Sequence, residues 1–334
     1  MPKLAVIIPT LNEESYILEA LESVEFADEI ILIDSFSSDR TVELAEPFVT
    51  KVIQRKFDNF SDQKNAALDQ TQADWVFFLD ADERVTPELK KSILKAIESE
   101  EHNGYKVEFV HHYMDRFLYH HTDKTIRLIR NTGYRFEGEV HEHFVIEGQT
   151  PLLKGFINHY TYKGFDSYLQ KKMLYGNFQA QQVLRKKKSN NLFLCLVKPN
   201  FRFIKSVIFK NGYKDGFPAI VVGQINGYGV FQRLIKSRIL QEKSPIETYK
   251  DLVEFNSFLD SYHQDCRKRA LNNHVSKTKG GFALKLSSMA VFFKQYFLKL
   301  KILKGAEGLV EAYLAGNAIF IYGVYQWLES KNLK

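Results

Sequence analysis

The strongest constraint on this chain is an alternation of short apolar runs and helical stretches, in which the apolar runs close on polar or acidic residues. Leu4 to Ile8 is continuously apolar, the pattern of a strand buried on both faces. Glu29 to Ile33 ends at Asp34, Val49 to Ile53 is a third run, and Trp75 to Leu79 ends at Asp80. Between them, Asn12 suits the cap of a helix led by Glu13 and Glu14, with Ile17, Leu18, Leu21 and Val24 as its apolar stripe. Thr41 to Ala45 is a second helix, and Ser61 suits the cap of a third that runs through Leu68. Thr86-Pro87-Glu88 opens another, with a capping Thr and Pro in the first turn. This order predicts an α/β domain with a mostly parallel sheet and helices on both faces. Ligands of such sheets bind beyond the carboxyl ends of the strands. Pro9, Thr10, Asn12, Asp34, Asp39, Asp80 and Asp82 should therefore converge there.

Several of these residues carry chemistry. If Asp80-Ala81-Asp82 continues its strand, residues two apart point the same way and both carboxylates can face one cation. A hard ion such as Mg²⁺ or Mn²⁺ accepts oxygen ligands and shares them with a diphosphate. Asp-x-Asp is also common on solvated turns, but here it follows a fully apolar strand and is matched by Asp34. Asp34 can accept hydrogen bonds from a base or ribose, and Asp39 can simply cap the helix from Thr41. Lys64 stands at the start of a helix, where a cation opposes the dipole; that points to an anionic partner or to a solvated lysine. Arg127 and Arg130 suit phosphate, with solvated arginine as the alternative. His111, His112, His120 and His121 lack the spacing of common zinc sites, and no Cys lies nearby.

Beyond Gly104 the runs shorten and His and Arg accumulate; after Phe165 the chain turns helical and basic. Phe and Tyr number 27 and 17, and many fall in this second half, where their excess needs a reason. Two segments there look alike. RFIKSVIFKNGYKDG is followed by GYGVFQRLIKSR, and VFFKQYFLKLKILKG by IYGVYQWLESK, which suggests a duplicated helical hairpin. Gly308 to Leu328 contains Glu311, Asn317 and Gln326 and does not read as a membrane span. Lys-rich helices with many aromatics fit the lipid interface or, alternatively, a seam against the core. The two cysteines, Cys195 and Cys266, show no disulfide or metal spacing, and MPKLAVIIPT is not a signal peptide. The expected location is the cytoplasm.

VIIPTLNEE, ADEIILIDSFSSDRTVELA, QKNAAL and ADWVFFLDADERVTPEL together resemble the inverting glycosyltransferases of family 2, and more narrowly the branch that builds lipopolysaccharide core. IRLIR, EVHEH, GFINHY and the KNGYKDG region are similar to that branch as well. The resemblance implies a GT-A fold, a nucleotide-sugar donor such as a UDP-hexose, Mg²⁺ or Mn²⁺, and inversion at the anomeric carbon. It implies that Pro9, Thr10, Glu13 and Asp34 line the nucleotide site, that Lys64 lies near it, and that Asp80 and Asp82 hold the metal. His159, in NHY, falls where such enzymes often place a His near the metal or diphosphate, though a structural role suits it equally. The base that takes the acceptor proton is expected at Glu142, with Glu139 and then Glu137 behind it; His141 and His143 would point away from Glu142. Phe36 and Arg40 stand where this branch usually has Gly, and FDNFSDQKN is less Gly-rich than expected, which leaves the donor base and sugar open.

The expected organisation is a catalytic domain over 1–162 and a helical, membrane-interfacial region over 163–334. The expected partners are the donor, a lipid-linked glycan acceptor and an anionic membrane surface, with the enzyme peripheral on the inner face of the cell membrane. A sugar-phosphate nucleotidyltransferase should carry a Gly-rich loop after the first strand, whereas PTLNEE is acidic and lacks Gly. A non-catalytic glycan- or lipid-binding module would not need Asp80, Asp82 and a base. The net charge of +6 would suit nucleic acid, but acidic strand ends would repel its phosphates.

Overall fold

The computed structural model describes residues 1–99, 101–137, 143–144, 146–185, 191–241, 249–272 and 278–333. They form two compact units, one of residues 1–112 with 122–161, the other of 113–121 with 162–334.

The first unit alternates as its sequence predicts: β1 (Leu4–Thr10), α1 (Ile17–Ser23), β2 (Glu29–Asp34), α2 (Thr41–Ala45), β3 (Lys51–Gln54), α3 (Phe60–Leu68), β4 (Trp75–Phe78), β5 (Glu83–Val85) and α4 (Pro87–Ile97). Then come β6 (Gly104–Tyr113), β7 (Arg116–Arg130), the two-residue strands β8 (Phe136–Glu137) and β9 (His143–Phe144), and β10 (Leu152–His159). One eight-stranded sheet runs β3-β2-β1-β4-β7-β6-β10-β5. Strands β3, β2, β1 and β4 are parallel neighbours, β7 is antiparallel to β4, and β10 is parallel to β6 and antiparallel to β5. β1 is covered on both faces: Leu4, Val6 and Ile8 join the cluster that includes Ile17 and Leu89, while Ala5 and Ile7 join the one that includes Ala67 and Phe78. That two-sided burial is why the run is apolar without alternation.

Two helix starts differ from the sequence reading. Asn12 sits at φ 56° and does not cap α1; its side chain accepts the Ser38 N–H instead. α3 is capped by Asn59, which accepts the Asp62 N–H at 2.9 Å, so Ser61 lies inside the first turn. Thr86 does cap α4, and Pro87 fills its first position.

Apart from residues 113–121, the joined ends of β6 and β7, the second unit is helical: α5 (Phe165–Arg185), α6 (Leu192–Ile204), α7 (Phe217–Ile239), α8 (Leu252–Asn272), α9 (Gly281–Phe293) and α10 (Gly305–Ser330). α6 packs on α7 and α9 on α10, and the two pairs share one construction. After α6 come a π-turn at Lys205–Phe209, Asn211 at φ 57°, a 3₁₀ turn at Gly212–Asp215 and Gly216 at φ 78°. After α9 come a π-turn at Lys294–Leu298, Leu300 at φ 53°, a 3₁₀ turn at Lys301–Lys304 and Gly305 at φ 57°. Each step lies 89 positions after its counterpart, as Lys294 does after Lys205. A Cβ on Gly227 would meet the Pro199 carbonyl at 2.7 Å and one on Gly316 the Ser288 carbonyl at 2.6 Å, again 89 apart. The Tyr-Gly-Val pieces at Tyr228 and Tyr322 are 94 apart. That likeness is therefore not the structural correspondence, because close glycine contacts, not the aromatics, fix the register between the helices. No described helix is long and apolar enough to cross a membrane.

Candidate active site

The carboxyl ends of β1 and β2 meet where Thr10 pairs with Asp34. Asp34 is fully buried, and its carboxylate accepts the Thr10 hydroxyl at 3.1 Å, the Ser37 N–H at 2.9 Å and the Ser37 hydroxyl at 2.5 Å. It thereby draws the loop after β2 back over the strand end. The β1 side holds the same loop: the Asn12 N–H donates to Ser37 Oγ and the Glu13 N–H to Thr41 Oγ1. From α3, Gln63 donates to Ser35 Oγ. Pro9, Thr10, Glu13 and Asp34 are thus brought to one place. Asp39 precedes Arg40, the N-cap of α2, and accepts the Thr41 and Glu14 N–H groups, which ties the loops after β1 and β2 together. Phe36 sits at φ 62° with 58% of its surface exposed, a left-handed position that favours glycine.

At the end of β4 the chain turns at once. The Glu83 N–H donates to the Asp80 carbonyl at 3.0 Å, so Asp80-Ala81-Asp82 is a tight turn and not an extended run. This corrects the same-side argument: the two carboxylates take different partners. Asp80 Oδ2 accepts Arg127 Nη2 at 3.0 Å, whereas Asp82 Oδ1 stands 3.5 Å from His159 Nε2. Strand pairing delivers both partners. β7 runs antiparallel to β4 with Leu128 opposite Phe77, which brings Arg127 to the strand end. β10 aligns His159 with Glu83 on one side and with His111 on the other.

The sequence reading missed Glu83. It is wholly buried, accepts Arg127 Nη2 at 2.7 Å through one oxygen and the Asp80 N–H at 2.9 Å through the other. The only signal was a carboxylate inside the strand-like Glu-Arg-Val that follows Asp-x-Asp. Burial raises the Glu83 pKa well above the usual range, opposed by Arg127 and reinforced by Asp80 and Asp82. Burial would raise Asp80 too, but the charges of Arg127 and Lys64, the Arg127 hydrogen bond and His159 together hold it well below the ordinary carboxylate range. Lys64 is almost fully buried, its Nζ 5.1 Å from the Phe136 ring, so it is not a solvated lysine. Arg127 also lies over Phe109, 4.9 Å from the ring centre.

Among the described residues no group of three or more His, Cys, Asp or Glu could by itself hold a metal ion. Asp80 and Asp82 still fit Mg²⁺ or Mn²⁺, since Mg²⁺ in particular commonly takes one or two carboxylates and completes its shell with water and substrate phosphate. Other expectations separate. Arg130 stacks on Trp75 and donates to the Ser99 carbonyl, a packing role. His111 meets Asp123 at 3.2 Å and His120 meets Asp215 at 2.8 Å, neither forming a zinc cluster. Glu142, Glu139 and His141 lie outside the described residues. The strands flanking them are anchored: Phe136 and Phe144 pack against Phe78, and Asn65 exchanges two hydrogen bonds with the Phe136 backbone. Glu137 and His143 pair across β8 and β9.

A parallel strand order of 3-2-1-4 with a carboxylate-bearing turn after β4 is the arrangement expected of the GT-A fold. The family described as glycosyl transferase family 2 matches residues 5–161, just under half of the chain; the chain is a glycosyltransferase. An uncharacterized glycosyltransferase of Rickettsia typhi is 28% identical over 73% of this chain and 89% of its own length. The lipopolysaccharide core biosynthesis glycosyltransferase LpsC of Rhizobium meliloti is 25% identical over 74% of this chain and 98% of its own. Among solved structures, glucosyl-3-phosphoglycerate synthase of Mycobacterium tuberculosis, in complex with Mn²⁺, uridine diphosphate and glucosyl-3-phosphoglycerate, aligns over 33% of this chain and 44% of that one, at 22% identity and a TM-score of 0.29.

Proposed function

We propose that the chain transfers a sugar, with inversion, from a nucleotide-diphosphate donor such as a UDP-hexose to a hydroxyl of a lipid-linked glycan such as lipopolysaccharide core. The observation that carries this is the gathering of Asp80, Asp82, Lys64, Arg127 and His159 around one strand end, beside the adjacent strand ends that hold Pro9, Thr10, Glu13 and Asp34. Asp80 and Asp82 would hold Mg²⁺ or Mn²⁺, which would neutralise charge on the departing diphosphate. Lys64 and Arg127 would draw the anionic donor to the site, and His159, beside Asp82, would serve the metal or the diphosphate. Glu142 takes the proton of the acceptor hydroxyl as its oxygen bonds to the anomeric carbon and the bond to the diphosphate breaks.

The acceptor class is supported by the likeness to LpsC. In this reading residues 1–162 are catalytic, residues 163–334 serve the acceptor side, and the enzyme works peripherally on the inner face of the cell membrane. A panel of nucleotide sugars in thermal unfolding tests the donor: a ligand that binds only the native protein raises the midpoint. One UDP-sugar with Mn²⁺ should protect, and no protection by any nucleotide sugar would overturn the proposal.

A further inference from the structure

The two helical hairpins repeat more than their backbone. In α6, Cys195, Pro199 and Phe203 turn inward, four residues apart, and Val207 continues the row. Phe193, Val197, Ile204 and Ile208 are exposed on the other side of the same turns. Their counterparts 89 positions on, Phe282, Leu286, Phe293 and Phe297, are exposed as well. The π-turns end in a matching pair, Phe209 at 69% and Leu298 at 80% exposed. A buried position must be apolar, but an outward one has no such need, so its recurrence in both copies calls for a partner.

Charge identifies that partner. From Leu192 to Lys214 the chain carries Lys198, Arg202, Lys205, Lys210 and Lys214 and no acidic residue. From Gly281 to Ala306 it carries five lysines and again no acidic residue. Lys205 and Lys294 correspond, as do Lys210 and Lys299, and all four are exposed. Lys301 and Lys304 reach Glu311 at 2.9 and 3.9 Å, so the basic fringe of the second copy centres on Lys294 and Lys299. Apolar and aromatic side chains projecting from helices that are themselves free of acidic residues and fringed by exposed lysines suit the boundary between anionic headgroups and acyl chains.

We infer that the hairpins α6–α7 and α9–α10 are two copies of one membrane-contact module, each laying its outward face on an anionic lipid surface. The inference rests on the proposed function only for the benefit of docking beside a lipid-linked acceptor. Two tethered contacts bind far more tightly than one.

The test is flotation of the full chain with phosphatidylglycerol/phosphatidylcholine vesicles against phosphatidylcholine alone, across a salt series. Phe193→Ser with Phe209→Ser removes one face, and Phe282→Ser with Leu298→Ser the other. Wild type should float with the anionic vesicles, less so at high salt. Each double variant should lose affinity by roughly 10²-fold, and the quadruple variant should not float. Unfolding midpoints and protection by donor should be unchanged in all. The inference is overturned if wild type ignores anionic vesicles, if one double variant alone abolishes binding while the other is silent, or if light scattering shows that these faces join two copies of the chain. Failure of donor protection in wild type would instead count against the proposed reaction and leave vesicle binding to be judged separately.

Discussion

Arg127 offers a single nitrogen, Nη2, to two carboxylates at once: Glu83 Oε1 at 2.7 Å and Asp80 Oδ2 at 3.0 Å. Glu83 is fully buried, so Arg127 is the counter-charge that makes its burial tolerable. Breaking a buried pair by removing one partner typically costs about 3–5 kcal/mol. We expect Arg127→Met to lower stability in urea by that order at neutral pH, and Glu83→Gln in the same chain to recover much of it. A loss below about 1 kcal/mol, the scale of an exposed pair, would mean that the pair is not the buried keystone described.

A second buried group gives a pH signature. His263 bonds the Tyr228 hydroxyl at 3.1 Å, and burial lowers its pKa to about 4, against the pull of Asp166 and with help from Lys236. Between that value and the unfolded pKa of about 6.5 the unfolded chain holds the extra proton. This contribution is therefore complete above about pH 6.5 and is lost as pH falls toward 4, by about 3 kcal/mol in all. Urea midpoints of wild type should fall across that window, and His263→Gln should flatten the slope. An unchanged slope in the variant removes His263 as the cause.

The glycine contacts test the repeat. Gly227→Ala and Gly316→Ala each thrust a methyl group against a backbone carbonyl of the partner helix. Both should destabilise by about 1–3 kcal/mol, the usual cost of overpacking. If only one of the two does so in chemical unfolding, the hairpins are not packed alike.

For the proposed base, Glu142→Gln keeps the shape but cannot accept a proton. A loss of about 10²- to 10⁴-fold in kcat is expected, with KM for the donor nearly unchanged. Should Glu142→Gln turn over normally and Glu139→Gln be dead, the role passes to Glu139.

The sheet was legible because two-sided burial demands the apolar runs Leu4–Ile8 and Trp75–Leu79. Asp34, Asp80 and Asp82 could be found because carboxylates closing such runs stand out. The turn at Asp80 could not be read, since nothing local distinguishes a strand that continues from one that reverses. Glu83 was hidden for a related reason: its significance comes from Arg127, 44 residues away and joined only by the β4–β7 pairing. Helix caps slipped where several candidates adjoin, as at Asn59 and Ser61. In the helical half the segments from Arg202 and from Val291 were paired in the observed register, 89 apart, but the Tyr-Gly-Val likeness shifted the following helices by five residues, because backbone contact at Gly227 and Gly316 leaves little trace in side-chain pattern.

The most direct test of the central claim is release of nucleotide diphosphate from a nucleotide sugar in the presence of Mn²⁺, followed for wild type, for wild type in EDTA and for Asp82→Ala. Release is expected from wild type without EDTA alone, with Asp82→Ala folded by its unfolding curve yet inactive. Full activity in EDTA, or an Asp82→Ala enzyme as active as wild type, would contradict it.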